Sequence, residues 1–425
     1  MVPYPVPAMS HPVSPVTAAE VASVRRPVDQ ASLLPPRVFH DPEVFTYEQA
    51  AWFGRSWLCV GREEDAADPG QYLVASVAGE GVIVVRGRDA TLRAFYNVCR
   101  HRGSLLVTEP AGRQVRFQCP YHAWTYELDG RLLRAKHTDA LIDFAVEEQS
   151  LLPISVRVWE GFIFVTLDPH GGSLEEHLSD LPGHVGRFAM GDLRRARRIE
   201  YEVGANWKVI AENYSECYHC PGVHPQLNRL TPYDQGRNLE SHGPWAGGWM
   251  ELATDADTMS TDGATHGRPP LPGLSADDER RIYYFVLWPN LLLSLHPDYV
   301  MTHQVWPLDA ERSRVVCEWL FHPETMARPD FDPSDAISFW DLTNRQDWRV
   351  CELQQQGTRS RAYVPGRYAL MEDMVHAFDL MVADRYADDG VVSRFGPRHD
   401  KWRAAARDRQ TGKATSMASP RTRTG

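Results

Sequence analysis

Asn97-Val-Cys-Arg-His-Arg-Gly103 and Cys119-Pro-Tyr-His-Ala-Trp-Thr-Tyr126 decide how this 425-residue chain is read. Each stretch pairs a cysteine with a nearby histidine, Cys99 with His101 and Cys119 with His122, and 17 residues lie between His101 and Cys119. A [2Fe–2S] cluster held by four thiolates has a low potential. Replacing two thiolates on one iron by neutral imidazoles removes negative charge and raises it. Two loops at the tips of adjacent hairpins, each giving one Cys and one His, supply that ligand set. Gly103 and Pro120 suit tight turns that bring backbone N–H groups toward the cluster sulfurs. A structural zinc site is the competing explanation. Zinc fingers usually place both Cys in one pair and both His in the other, so the mixed order disfavours it.

Around these loops the texture is all β. Gly81-Val-Ile-Val-Val-Arg86 is a β-branched run, Phe117 to Cys119 is short and extended, and Gly161 to Leu167 reads as a buried strand. Trp124 to Leu128 followed by Asp129-Gly130 reads as a hairpin. A helix over about Tyr47 to Trp57 precedes them, with Phe53 and Trp57 inward. Residues 39–170 therefore form a cluster-bearing domain with a leading helix. Residues 1–38, rich in Pro, Val, Ala and Ser, are expected to be a mobile arm.

After Gly171 helical and strand-like stretches mix, giving an α+β second domain over residues 171–407. Helices are expected at 173–181, 206–220, 333–356 and 370–385. Strands are expected at 283–287, 291–295, 301–306 and 314–321. Residues 231–278 read as a long loop or lid, and 408–425 as a disordered tail.

The stretch Asn206 to His224 carries a second constellation. On one continuous helix, Trp207, Ile210, Tyr214 and Cys217 face the core, while Asn213, Glu216 and His219 share an adjacent face. Pro221 and Gly222 end the helix, so His224 folds back to meet His219. Two His and one carboxylate on three facial positions make an Fe(II) site open to O₂. In the later helix Ile337, Trp340, Asn344, Asp347 and Cys351 fall on one stripe, and Asp347 interrupts it with a carboxylate. A metal, or an ion pair with Arg349 or Arg359, accounts for an inward Asp equally well. A zinc site of Cys217, His219, Cys220 and His224 needs neighbouring residues of one helix to converge on one ion.

The bulk numbers exclude other classes. The chain is 43% hydrophobic and 24% charged with net charge −11, so nucleic acid and anionic membrane, which need basic patches, are not the expected partners. No apolar run suffices to span a bilayer, no signal peptide is evident, and seven cysteines are no disulfide framework. A cytoplasmic protein is expected.

The two Cys/His loops resemble the Rieske motif of ring-hydroxylating oxygenase large subunits. The run Glu212-Asn-Tyr-Ser-Glu-Cys-Tyr-His219 with His224 resembles the mononuclear iron motif of the same family. Asn344-Arg-Gln-Asp347-Trp-Arg resembles the segment that carries its carboxylate ligand. The resemblance implies a Rieske [2Fe–2S] domain on Cys99, His101, Cys119 and His122. A helix-grip catalytic domain follows, an antiparallel sheet wrapped on a long helix, with Fe(II) on His219, His224 and Asp347. It implies a homotrimer in which one subunit's cluster feeds its neighbour's iron through a bridging acid, here Glu216, with Asn213 near the iron. It also implies O₂, a small-molecule substrate, and NAD(P)H electrons delivered by a flavin/iron–sulfur reductase or a ferredoxin. Most ring hydroxylases carry Asp at the bridge. Glu216 within Asn-Tyr-Ser-Glu-Cys-Tyr-His-Cys resembles the branch that oxidises glycine betaine and choline. N-demethylation of a quaternary ammonium compound is the expected chemistry. The alternatives are an arene dioxygenase with a small β subunit and a non-catalytic electron carrier. Aromatic candidates for a cation pocket are Trp245, Trp249, Tyr283, Tyr284, Phe285, Trp288 and Trp306.

Overall fold

Three antiparallel sheets carry the chain, and the computed structural model describes residues 12–387. The first half holds a seven-stranded sheet in the order Leu58–Arg62, Phe162–Thr166, Pro153–Trp159, Leu92–Tyr96, Glu80–Arg86, Gln71–Val77, Ala111–Arg113. Beside it stands a three-stranded sheet of Phe117–Gln118, Thr125–Tyr126 and Leu132–Arg134. The turn at Asp129-Gly130 lies where expected, and Gly130 takes a φ of 88° there.

The second half is one seven-stranded sheet in the order Arg194–Val203, Ser313–Phe321, Val300–Pro307, Leu291–Leu295, Arg281–Leu287, Trp245–Glu251, Gly236–Asn238. Its central strands Arg281–Leu287 and Leu291–Leu295 are mostly apolar because both faces are covered. One face, with Ile282, Val286, Leu292 and Met301, packs on the helix Ser334–Thr358 and its neighbours. The other, with Phe285, Leu287, Leu291 and Leu293, packs on the short helices Leu174–Leu178 and Leu181–Val185. The sheet curled round a long helix is the architecture that the resemblance implies.

The leading helix begins earlier than its apolar pattern suggests. Asp41 caps it, its α-helical part runs Pro42–Glu48, and a π turn over Gln49–Phe53 finishes it. Glu48 is fully buried. It accepts from Lys208 Nζ at 2.6 Å and from Trp207 Nε1 at 2.8 Å, pinning the start of the helix Trp207–Tyr214. Removing one partner of so buried a pair costs about 3–5 kcal/mol.

Two expectations about irregular segments fail. Residues 12–38 are not a free arm. Val16, Val21 and Val24 are at most 1% exposed and join the main core, His376 Nε2 lies 2.8 Å from Val24 O, and Arg367 Nε donates to Ala31 O at 2.7 Å. Small valines between turns, rather than any helical or strand period, make this strap, so its composition read as linker. The region 231–278 also differs: it contributes the strands Gly236–Asn238 and Trp245–Glu251 to the sheet edge. Residues 1–11, 388–407 and the expected tail 408–425 lie outside the described residues.

Candidate metal centres and substrate cavity

The two Cys/His loops are built on one backbone plan. Cys99 N donates to Ser104 O, and Gly103 N donates back to Cys99 O. Cys119 N donates to Trp124 O, and Ala123 N donates back to Cys119 O. Each turn needs a left-handed residue four places after its Cys. Gly103 supplies a φ of 72° freely, whereas Ala123 holds 55° against its Cβ. The turns bury Cys99 and Cys119 to 2% and 3% exposure and leave His101 and His122 exposed, ring centroids 4.6 Å apart. Trp124 stacks on His101 at 4.8 Å. Burial alone pushes both thiols up. At Cys119 the amides of Tyr121 and His122 outweigh it and draw the thiol below its ordinary value. Tyr126, which the sequence reading quoted only as part of a motif, places its hydroxyl 3.3 Å from Cys99 Sγ and accepts from Arg100 N at 3.0 Å. Hydrogen bonds to the sulfurs are one of the levers on cluster potential. These residues fit a two-iron cluster: two buried thiolates inside, two imidazoles outside.

In the second half the expected helix 206–220 is broken. The helical part is Trp207–Tyr214, and Ser215 leaves helical geometry with its Oγ bonded back to Ala211 O at 2.6 Å. The Glu216 carboxylate accepts from the backbone N–H groups of Tyr218 and His219. Such side-chain bonds compete with helix continuation. A second short helix, Cys220–Val223, then turns the chain back at His224. Cys217 packs against the core as expected, and it is joined to Cys220 as a disulfide, which leaves neither thiolate for the zinc alternative.

The break, rather than a shared helix face, brings the ligands together. His219 Nε2 and His224 Nε2 lie 3.2 and 2.7 Å from Asp347 Oδ1. Among the described residues these three are the one group of His, Cys, Asp and Glu whose ligand atoms all fall within 4.8 Å of one another. The competing pairing of Asp347 with an arginine is not made: Arg349 is exposed, and Arg359 is bonded to Glu311. Burial pulls the His219 imidazolium down, but hydrogen bonds to Asp347 and Glu216 outweigh it and push it up to about 10. Asp347 is lifted by burial and held below its ordinary value by the two histidines. Two imidazoles and one carboxylate converging on one point suit a divalent iron with open positions.

Glu216 reaches the far side of the His219 ring, accepting from Nδ1. Its expected position beside His219 is thus seen, through a turn. Gln346, one residue before Asp347, was not singled out from sequence. Its Oε1 lies 2.8 Å from His224 Nδ1 and accepts from Gln226 at 2.7 Å. Fixing the Nδ1–H in this way leaves the Nε2 lone pair of buried His224 for a metal. Its signal in sequence was only adjacency to Asp347.

The triad opens into a cavity of about 130 Å³ lined by Asn213, Tyr214, Met250, Tyr284, Trp340 and Met374 among others. Of the aromatic candidates, Tyr284 and Trp249 border it, while Trp245, Tyr283, Phe285, Trp288 and Trp306 are core.

Comparison with known proteins agrees with both halves. The Rieske [2Fe-2S] domain family matches residues 56–147, and the ring hydroxylating alpha subunit catalytic domain family matches residues 190–388. The glycine betaine monooxygenase oxygenase subunit of Chromohalobacter salexigens is 34% identical over 79% of this chain and 81% of its own. The carnitine monooxygenase oxygenase subunit of Acinetobacter baumannii is 32% identical over 80% and 88%. A quaternary ammonium Rieske monooxygenase, solved with its substrate gamma-butyrobetaine, superposes with a TM-score of 0.72 at 28% identity, covering 88% of this chain and all of that one. A naphthalene 1,2-dioxygenase of Rhodococcus, at 19% identity and a TM-score of 0.68, shares the fold. No helix among the described residues is long and apolar enough to cross a membrane. The chain belongs to the Rieske non-haem iron oxygenases, an oxidoreductase family whose alpha subunits join a [2Fe–2S] domain to a catalytic domain with mononuclear iron.

Proposed function

We propose that this chain is the oxygenase subunit of a monooxygenase that removes an N-methyl group from a small quaternary ammonium compound, glycine betaine first. The observation that carries this reading is the cavity beside His219, His224 and Asp347. It is small, about 130 Å³, and walled by Tyr214, Tyr284, Trp340 and the thioethers of Met250, Met371 and Met374. A trimethylammonium group has no N–H to donate. Polarizable and aromatic surface is what holds it.

Cys99, His101, Cys119 and His122 would hold the cluster, and His219, His224 and Asp347 the iron. When bound, the iron supplies O₂ activation at a site with open positions. The chain's own groups do the rest. Gln346 holds His224 in one tautomer, Glu216 links His219 to the protein surface, and Asn213 borders the space beside the ligands. The overall change is one N-methyl C–H, O₂, two electrons and two protons giving N-hydroxymethyl and water. The N-hydroxymethyl group then loses formaldehyde and a proton to leave the tertiary amine. The electrons come from NAD(P)H through a flavin/iron–sulfur reductase or a ferredoxin. A cytoplasmic homotrimer, with Glu216 next to a neighbour's cluster, is the assembly this reading requires. An inter-subunit electron transfer is described for the related quaternary ammonium enzyme.

The arene dioxygenase reading is weaker. The naphthalene enzyme's likeness extends only to the fold, and the bridging position here is Glu216 rather than Asp. Oxygen uptake with a reductase and NADH, alongside formaldehyde release, separates them. Glycine betaine is expected to give one formaldehyde per O₂. Coupled uptake with an arene and none with any quaternary amine would reverse the assignment.

A further inference from the structure

The cavity's sheet wall is a row of residues paired across four strands: Asn238, Gly248, Tyr284 and Ser294. Residues directly opposite in an antiparallel sheet share a face, and their chain neighbours take the other. Trp249 and Tyr283 therefore project from the opposite face of the sheet. Trp249 and Tyr283 accordingly pack in the opposite core, and the Arg281 guanidinium covers the Trp249 ring at 4.2 Å.

Apart from Glu216 and Asp347, one carboxylate among the described residues lines the cavity. Asp373 opens the helix Asp373–Ala387, and its Oδ1 accepts from Asn238 Nδ2. That contact depends on Gly248. A Cβ there would stand 2.7 Å from Asn238 Cα and from its Oδ1, so any side chain would push Asn238 off Asp373. A second feature also points at a ligand. Among the described residues the buried Tyr284 hydroxyl has no hydrogen-bond partner, although neighbouring Tyr214 bonds Leu293 O and Ser294 Oγ, both at 2.8 Å. A buried hydroxyl left unpaired is unfavourable unless a ligand accepts from it.

We infer that Asp373, positioned by Asn238 and Gly248, is the residue that reads the substrate's positive charge, and that the Tyr284 hydroxyl donates to an oxygen of the same molecule. The inference rests on the quaternary ammonium reading above. It adds to it that charge, and not only shape, is selected. In a cavity of low dielectric a carboxylate near a cation counts for more than it would in water. A ligand of the same shape without the charge gains nothing from it.

The test uses the loaded enzyme with its reductase. KM and kcat are measured for glycine betaine. The inhibition constant is measured for tert-butylacetic acid, which replaces the ammonium nitrogen by carbon. In D373N the betaine KM is expected to rise about ten-fold or more, with kcat within about three-fold and inhibition by the isostere no weaker. D373E is expected to recover most of the loss. Should D373N fold poorly by circular dichroism, N238A serves in its place, with a smaller KM rise in the same direction. An unchanged betaine KM, or equal weakening of betaine and isostere, overturns the role of Asp373. Wild-type enzyme that neither turns over nor binds any quaternary amine overturns the functional reading itself and this inference with it.

Discussion

The two metal regions are made in opposite ways. The cluster loops lie close in the chain, repeat one backbone plan, and push both imidazoles into solvent. The triad of His219, His224 and Asp347 joins a broken helix to a residue 123 positions away on the long helix, and it keeps His224 at 1% exposure beside a cavity. An electron-accepting centre needs an outer edge for a partner. An oxygen-activating centre needs an inside. Glu216 bonds to His219 on the side of the ring away from Asp347, with exposed Tyr218 next to it.

The contrast breaks most sharply when each site is removed alone. Cys119→Ser and His224→Ala should each abolish turnover, by different routes. The first should lose both cluster irons and acid-labile sulfide. The second should keep the cluster's visible spectrum and lose about one iron per chain. Iron and sulfide analysis with absorption spectra checks this, and a loss of the cluster in His224→Ala would show that the sites are not independent. Glu216→Gln should leave both metals in place and cluster reduction by the reductase unchanged, while turnover falls sharply. Stopped-flow reduction beside steady-state rates reads it, and normal turnover would remove Glu216 from the path. Gln346→Ala should weaken iron affinity or activity by roughly 10–100-fold, as loss of a partner behind a metal-bound histidine does. Titration of the chain depleted of mononuclear iron measures it.

Acid sharpens the comparison further. Burial holds His177 and His296 neutral, down to about 4 and about 3. The unfolded chain takes protons near the ordinary histidine value while the folded one does not. Their stabilising contribution is therefore complete above about pH 6.5 and is lost as pH falls toward the folded values. The loss should reach roughly 2 kcal/mol per histidine by about pH 5. Chemical denaturation between pH 7 and pH 5 checks the sign. His177→Asn and His296→Asn should each flatten the pH slope, and a slope unchanged in both would refute the assignment.

How much of this was legible depends on how local each feature is. Cys99, His101, Cys119 and His122 sit in two short loops, so ligand type and spacing sufficed. Leu291–Leu295 is apolar on both faces and reads directly as a buried strand. Asp347 announced itself by interrupting an apolar stripe, yet only the fold could choose between a metal and an arginine. The break at Ser215 was hidden because side-chain bonds of Ser215 and Glu216, not residue propensity, stop the helix. The strap before Phe39 was missed because its valines follow no period. The packing of Trp249 against the opposite core needed the strand register, which no single strand contains.

The account turns on electrons held by the first site being used at the second. The direct measurement is a single turnover: enzyme reduced without oxygen, mixed with O₂, and followed by the visible spectrum of the cluster. Intact protein with glycine betaine is predicted to reoxidise its cluster rapidly and release formaldehyde, while the variant lacking His219 and His224 stays reduced on the same timescale. Equal reoxidation in that variant, with the same dependence on glycine betaine, would contradict it.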